Sequence, residues 1–215
     1  MIKKYWKTLV ITSVIMLLPM VAGLFLWDQL PERIPTHWNA AGEVDGWSSK
    51  AFAVFGLPLI MLAAQWLCCL GTGADPKKAN HSDKVVHLVL WIIPVLQIVL
   101  FAITYCVALG QPVQMDVVMP ALIGLMFAII GNYLPKCKQN YTIGIKLPWT
   151  LSSEENWNKT HRMAGRLWLI CGIVLMLSGI LSVVWKFSIW VLLAVMPVMV
   201  LVPVVYSYSL HRKGV

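Results

Sequence analysis

Polar and apolar residues alternate along this chain in long blocks instead of helical stripes. Thr8–Trp27 and Ala51–Leu70 contain no charged residue. Val85–Leu109 is interrupted only by His87 and Gln97, and Val117–Leu134 is shorter and ends in polar Asn132. Leu167–Val184 and Ser188–Leu210 complete the series, separated by a tight Trp185-Lys186-Phe187 turn that joins antiparallel neighbours. A helix needs about 20 largely apolar residues to cross a bilayer core. The pattern therefore predicts an all-α integral membrane protein with six transmembrane helices, the last two forming a hairpin.

Composition agrees, with 59% hydrophobic and 12% charged residues and a mean hydropathy of +0.75. The five cysteines, Cys68, Cys69, Cys106, Cys137 and Cys171, contain no C-x-x-C pair and read as packing residues. A net charge of +8 could signal a nucleic-acid partner, but the basic residues follow the topology. Lys3, Lys4 and Lys7, then Lys77, Lys78 and Lys84, then Lys136, Lys138, Lys146, Lys159, Arg162 and Arg166, and finally Arg212 and Lys213 all fall on one side. Only Arg33, Lys50 and Lys186 fall on the other. Cytoplasmic loops carry the positive excess, so both termini are expected in the cytoplasm, residues 28–50 face outward, and no direct nucleic-acid contact is implied. The first apolar run is too long for a signal-peptide core, and no A-x-A-like site follows it. Trp6, Trp27, Trp185 and Trp190, near helix ends, suit the aromatic belt.

Ionisable groups inside a bilayer are costly and mark function, but no Asp or Glu lies within a span; Asp116 only borders the fourth. That weighs against an ion-coupled transporter. Gln65 joins His87 and Gln97 as the main polar side chains at membrane depth. Pro19, Pro58, Pro94, Pro120, Pro197 and Pro203 punctuate the spans. Each removes a backbone donor; it either forms a hinge or is tolerated where a neighbour satisfies the freed carbonyl.

Two polar segments remain. The outward one, "LPERIPTHWNAAGEVDGWSSK", has Pro31 and Pro35 at its exit and Gly42 and Gly46 at turn positions. Glu32, His37, Glu43 and Asp45 are a diffuse metal-ligand set without H-E-x-x-H spacing. The other reading is a lid in which His37, Asn39 and Asp45 bond to one another. The inward segment, "GNYLPKCKQNYTIGIKLPWTLSSEENWNKTHRMAG", closes the fourth span, then runs as an extended piece or turn around Gly144 to Pro148. Ser152 and Glu155 form a capping box that starts a helix. Trp157, His161, Gly165 and Trp168 share one face of it, beside a basic face of Lys159, Arg162 and Arg166. This predicts a short amphipathic cytoplasmic helix feeding span five, serving headgroup anchoring or partner docking.

The inward loop resembles the signature of the SdpI family, bacterial membrane proteins named for immunity to the sporulation-delaying peptide toxin. The matching residues are Gly131, Asn132, Pro135, Asn140, Gly144, Ile145, Lys146, Pro148, Trp149, Thr150, Leu151, Trp157, His161, Arg162 and Gly165. Lys146 stands where arginine is more usual, which keeps the charge and loses the bidentate fork. Ile34, Pro35, His37, Trp38, Asn39, Gly42, Asp45 and Lys50 resemble the outer loop of a small module of unknown function often found at the N-terminus of such proteins. The expected organisation is an N-terminal module over residues 1–70, a third helix with its loops over 71–116, an SdpI-like module over 117–210 and a tail over 211–215. The resemblance implies a multi-pass protein of the bacterial plasma membrane that gives immunity to a secreted, membrane-active peptide. It further implies a sensor that sequesters a small transcriptional repressor at the membrane. On this reading the partners are the bilayer, the toxin and the repressor, with no cofactor and no catalysis. The alternatives are a metal-binding protein or enzyme with an outward-facing site, and a small-molecule or peptide transporter.

Overall fold

The structure, a computed structural model, describes residues 2–39, 41–184 and 187–215. Six helices in it are long and apolar enough to cross a membrane. With their outer faces lined by exposed Leu, Ile and Val, they make this a multi-pass membrane protein. Trp185 and Lys186, and with them most of the predicted tight turn and one belt tryptophan, lie outside the described residues.

The chain forms two compact units. The first takes Met1–Ala74 and Val86–Gln114, so most of the third helix packs with the first two. It contains α1 (Ile2–Phe25), β1 (Arg33–Trp38), β2 (Val44–Ser49), a π-helical turn (Phe52–Gly56) leading into α2 (Leu57–Ala74), and α3 (Asp83–Ala108) beyond its first turn. The outward segment, expected as irregular chain in an all-α protein, is instead an antiparallel hairpin. Asn39 closes it as an Asx turn, its Oδ1 accepting from the amides of Ala41 at 2.9 Å and Glu43 at 3.0 Å, and Gly42 takes φ 79°. The hairpin lowers Ile34 onto Leu30, Ala53, Val54, Phe101 and Tyr105. A second cluster joins Tyr5, Leu9 and Cys69 to Val86 and Leu90.

The second unit takes Asp75–Val85 and Met115–Val215. It holds α4 (Met115–Tyr133), α5 (Pro148–Ser152), α6 (Glu154–Leu181) and α7 (Ser188–Arg212). α4 and α6 make the most extensive helix contact in the molecule, and glycine sets their separation. A Cβ on Gly172 would stand 2.5 Å from both the Gly124 carbonyl oxygen and the Ala128 nitrogen. One on Gly165 would stand 2.7 Å from Pro135 and 2.8 Å from the Gly131 carbonyl oxygen. With Gly179 against Val117 and Ala121, the small residues recur every seventh position, the arrangement that lets membrane helices pack backbone to backbone.

Three span prolines have their freed carbonyls satisfied. Each proline breaks the bond to the residue four before it. Leu90, four before Pro94, receives the Gln65 amide at 2.8 Å. Asp116, four before Pro120, receives the Ser188 hydroxyl at 2.9 Å. Met199, four before Pro203, receives the Trp168 indole N–H at 3.0 Å. These bonds hold the prolines as fixed features of the packing and explain why Gln65 is carried at membrane depth.

Two local expectations change. The N-cap of α6 is Ser153, whose Oγ accepts from the Asn156 amide at 3.2 Å. Ser152 instead belongs to α5 and bonds back to the Trp149 carbonyl at 3.1 Å. The amphipathic segment is the first turns of one continuous 28-residue helix, because nothing after Ser153 interrupts its backbone bonding.

The glycine contact yields a direct prediction. Gly172→Leu should lower thermal stability in detergent by the equivalent of about 1–3 kcal/mol or abolish folding. Gly71→Leu, where nothing lies within 4 Å, should leave the melting temperature nearly unchanged.

Candidate functional site

At one end of the second unit, residues 137–147 form a loop without regular structure, yet much of its backbone is bonded. Five consecutive or near-consecutive amides find side-chain acceptors. Tyr141 N–H donates to Asp75 Oδ2 at 2.9 Å. Thr142 and Ile143 donate to Asn140 Oδ1 at 2.8 and 2.6 Å. Ile145 donates to His161 Nε2 at 2.9 Å, and Leu147 to Thr150 Oγ1 at 2.9 Å. Asn140 also donates to the carbonyls of Lys138 and Ile143, so one buried side chain templates the turn.

The loop lies on the first turns of α6. Trp157 is fully buried, stacks on His161 with ring centroids 4.0 Å apart, and donates its indole N–H to the Cys137 carbonyl at 2.7 Å. Because Nε2 of His161 accepts from Ile145 and Nδ1 lies 2.8 Å from the Trp157 carbonyl, the imidazole is neutral with its proton on Nδ1. Gly144 crosses over this stack with φ +120°, where an added Cβ would stand 2.5 Å from His161 Nε2. No other residue type fits that crossing.

Asp75 anchors the loop from the far side. Its carboxylate accepts from the amides of Lys77 at 2.7 Å and Tyr141 at 2.9 Å and from the Thr142 hydroxyl at 2.8 Å, with His81 Nε2 at 3.2 Å. Burial works to raise its pKa, but these donors together outweigh it and hold the carboxyl below the usual aspartate value. Lys77 reaches the Gln139 side-chain oxygen, and Asn80 donates to the Gln139 carbonyl. From α7, Ser207 Oγ accepts from the Trp149 indole at 2.8 Å, and Asn156 donates to the carbonyls of Ser207 and Val215. The segment after α2, the loop after α4 and the C-terminal tail therefore share one end of the unit.

Among the inward residues singled out from sequence, Asn140, Gly144, Thr150, Trp157, His161 and Gly165 are buried or structural parts of this assembly. Pro148 and Trp149 start α5. Asn132, Lys146 and Arg162 are exposed. Asp75, His81, Gln139 and Asn156 were not singled out; the one signal for Asp75 was an acid placed directly at the end of an apolar run.

In the hairpin, His37 Nδ1 and Asp45 Oδ1 lie 2.5 Å apart, both substantially exposed. Asn39 bonds its own turn and Glu43 at 3.2 Å, and Glu32 pairs with Lys50 at 2.9 Å. Lys50 also donates to the Trp27 carbonyl. Pro35 stands opposite Trp47 and Trp38 opposite Val44 in the ladder. The diffuse set Glu32, His37, Glu43 and Asp45 is thus divided among three separate pairings, and among the described residues no three potential ligands converge.

Residues 136–209, which contain the loop and the helices that hold it, match the SdpI/YfhL protein family. Residues 14–62, including the whole hairpin, match a domain of unknown function, DUF1648. The chain is similar to "Immunity protein SdpI" of Bacillus subtilis (strain 168), 24% identical over 207 residues, covering 96% of this chain and 97% of that protein. No solved structure matches the chain. Of the quoted inward signature, Asn140, Gly144, Lys146, Thr150, Trp157 and His161 supply bonds or space to the loop backbone.

The Asp75 carboxylate generates a pH prediction. A carboxyl whose folded pKa is depressed contributes stability above its unfolded value and loses it as pH falls through the folded one. Thermal stability of the purified protein should therefore decline below about pH 4. Asp75→Asn should be less stable at neutral pH and show a shallower acid decline.

Proposed function

We propose that this protein protects the membrane of its cell against a secreted, membrane-active peptide. The observation that carries this reading is the similarity to an immunity protein over nearly the full length of both chains. Coverage of that extent includes both the hairpin unit and the loop unit. The function thus draws on two surfaces: an outward one bearing the hairpin, to meet peptide, and a cytoplasmic one bearing the loop.

The geometry favours binding over catalysis. Asp75 and His161, the ionisable groups at the heart of the loop, are engaged by the protein's own backbone, so they act as struts. The charge distribution supports placing the basic end in the cytoplasm. There the loop and the start of α5 offer Lys146 and Pro148 outward, a surface suited to a cytoplasmic repressor.

The test is survival. A sensitive strain expressing this protein should tolerate the sporulation-delaying peptide at concentrations several-fold above those that kill vector controls. Gly144→Val, which disrupts the loop, should reduce that tolerance. Equal killing of expressing and control cells, with the protein verified in the membrane, would contradict the reading for that peptide.

A further inference from the structure

The cytoplasmic half of α6 carries a second feature that the protective reading leaves unused. Between α6 and α7 lies an open groove of about 960 Å³. Arg162 and Arg166 stand on its rim, one helical turn apart, and both are exposed. Among the described residues neither pairs with a carboxylate; of the two glutamates that also line the groove, Glu154 and Glu155, the second neutralises the neighbouring Lys159 at 2.7 Å. Deeper along the same face, Met163, Leu167 and Ile170 form an apolar wall, and Tyr206 closes it from α7. Ile170 is 60% exposed, so this wall has no protein cover.

We propose that this groove binds one anionic phospholipid, its phosphate held by Arg162 and Arg166 and an acyl chain lying along Met163, Leu167 and Ile170. Three observations select that occupant. Two arginines at i and i+4 face the same way and present planar forks suited to phosphate oxygens. With Glu155 taken by Lys159, the two arginines outnumber the one remaining groove carboxylate, Glu154, so an anion is attracted and a zwitterionic headgroup gains less. The step from cationic to apolar surface between Arg162 and Ile170 spans about 12 Å along the helix, matching the descent from headgroup to acyl chain inside one leaflet. A free phosphate would use the rim alone, and an acidic peptide would leave the apolar wall unfilled. Tyrosine at the border of the two zones suits the interface, where a polar tip stays wet above an apolar ring.

The experiment is native mass spectrometry of the full chain in detergent, titrated with phosphatidylglycerol or phosphatidylcholine of the same acyl length. One phosphatidylglycerol should be retained in preference to phosphatidylcholine. The double variant R162Q/R166Q should weaken that retention about twenty-five-fold, at about fivefold per cation. K78Q/K84Q, which removes the same charge from other exposed positions, should leave it unchanged. Leu167→Gln should weaken phosphatidylglycerol binding while both arginines remain. Equal retention of the two lipids, equal loss in the two double variants, or displacement of the lipid by millimolar inorganic phosphate would each overturn the proposal. Unaltered melting of R162Q/R166Q separates a lost site from a lost fold.

Discussion

A backbone N–H or C=O that loses its helical partner in or beside a bilayer has little water to replace it, and each unpaired group costs several kcal/mol, about as much as a sizeable share of a protein's net stability. This chain creates many such groups. Its spans are broken by prolines, and a signature segment between two spans abandons regular structure. In both places the missing partner is a side chain brought from elsewhere in the same unit. Gln65, Ser188 and Trp168 donate to carbonyls freed by Pro94, Pro120 and Pro203. Asp75, Asn140, His161 and Thr150 accept from the loop amides.

The second solution depends on how tightly α4 and α6 approach. Gly131 against Gly165 and Gly124 against Gly172 bring the two backbones together, which fixes both ends of the segment joining them. Trp157 and His161 then form a flat internal surface on which Gly144 can cross. Loop, short helix and C-terminal tail become one cross-bonded piece through Trp149, Ser207 and Asn156. Such a surface is ordered in advance, so any binding to it would not bear the entropy of folding it.

The parts of this arrangement governed by local pattern were legible in the sequence. Apolar run lengths located all six helices, and the four-residue spacing of Trp157, His161 and Gly165 placed them together on what is a buried face. The sharing of one end by the loop and the tail followed from the charge pattern. What depends on long-range pairing was not legible. Asp75 lies 66 residues from the Tyr141 amide it accepts, and Gln65 lies 25 residues from Leu90; no spacing rule connects them. The hairpin was missed because Pro35, Gly42 and Gly46 read as turn chemistry, while its strands are six residues each and irregular in register. The cap of α6 was displaced by one residue because Ser152 and Ser153 are equivalent candidates until α5 claims the first.

The central claim is that the signature residues exist to bond the loop backbone. Amide hydrogen exchange of the full-length protein in lipid nanodiscs tests it most directly. The amides of Tyr141, Thr142, Ile143, Ile145 and Leu147 should exchange at least about a hundredfold more slowly than unstructured peptide, despite lying outside regular secondary structure. His161→Phe should release Ile145 in particular. Exchange at the rate of an open surface loop in the unaltered protein would contradict the account.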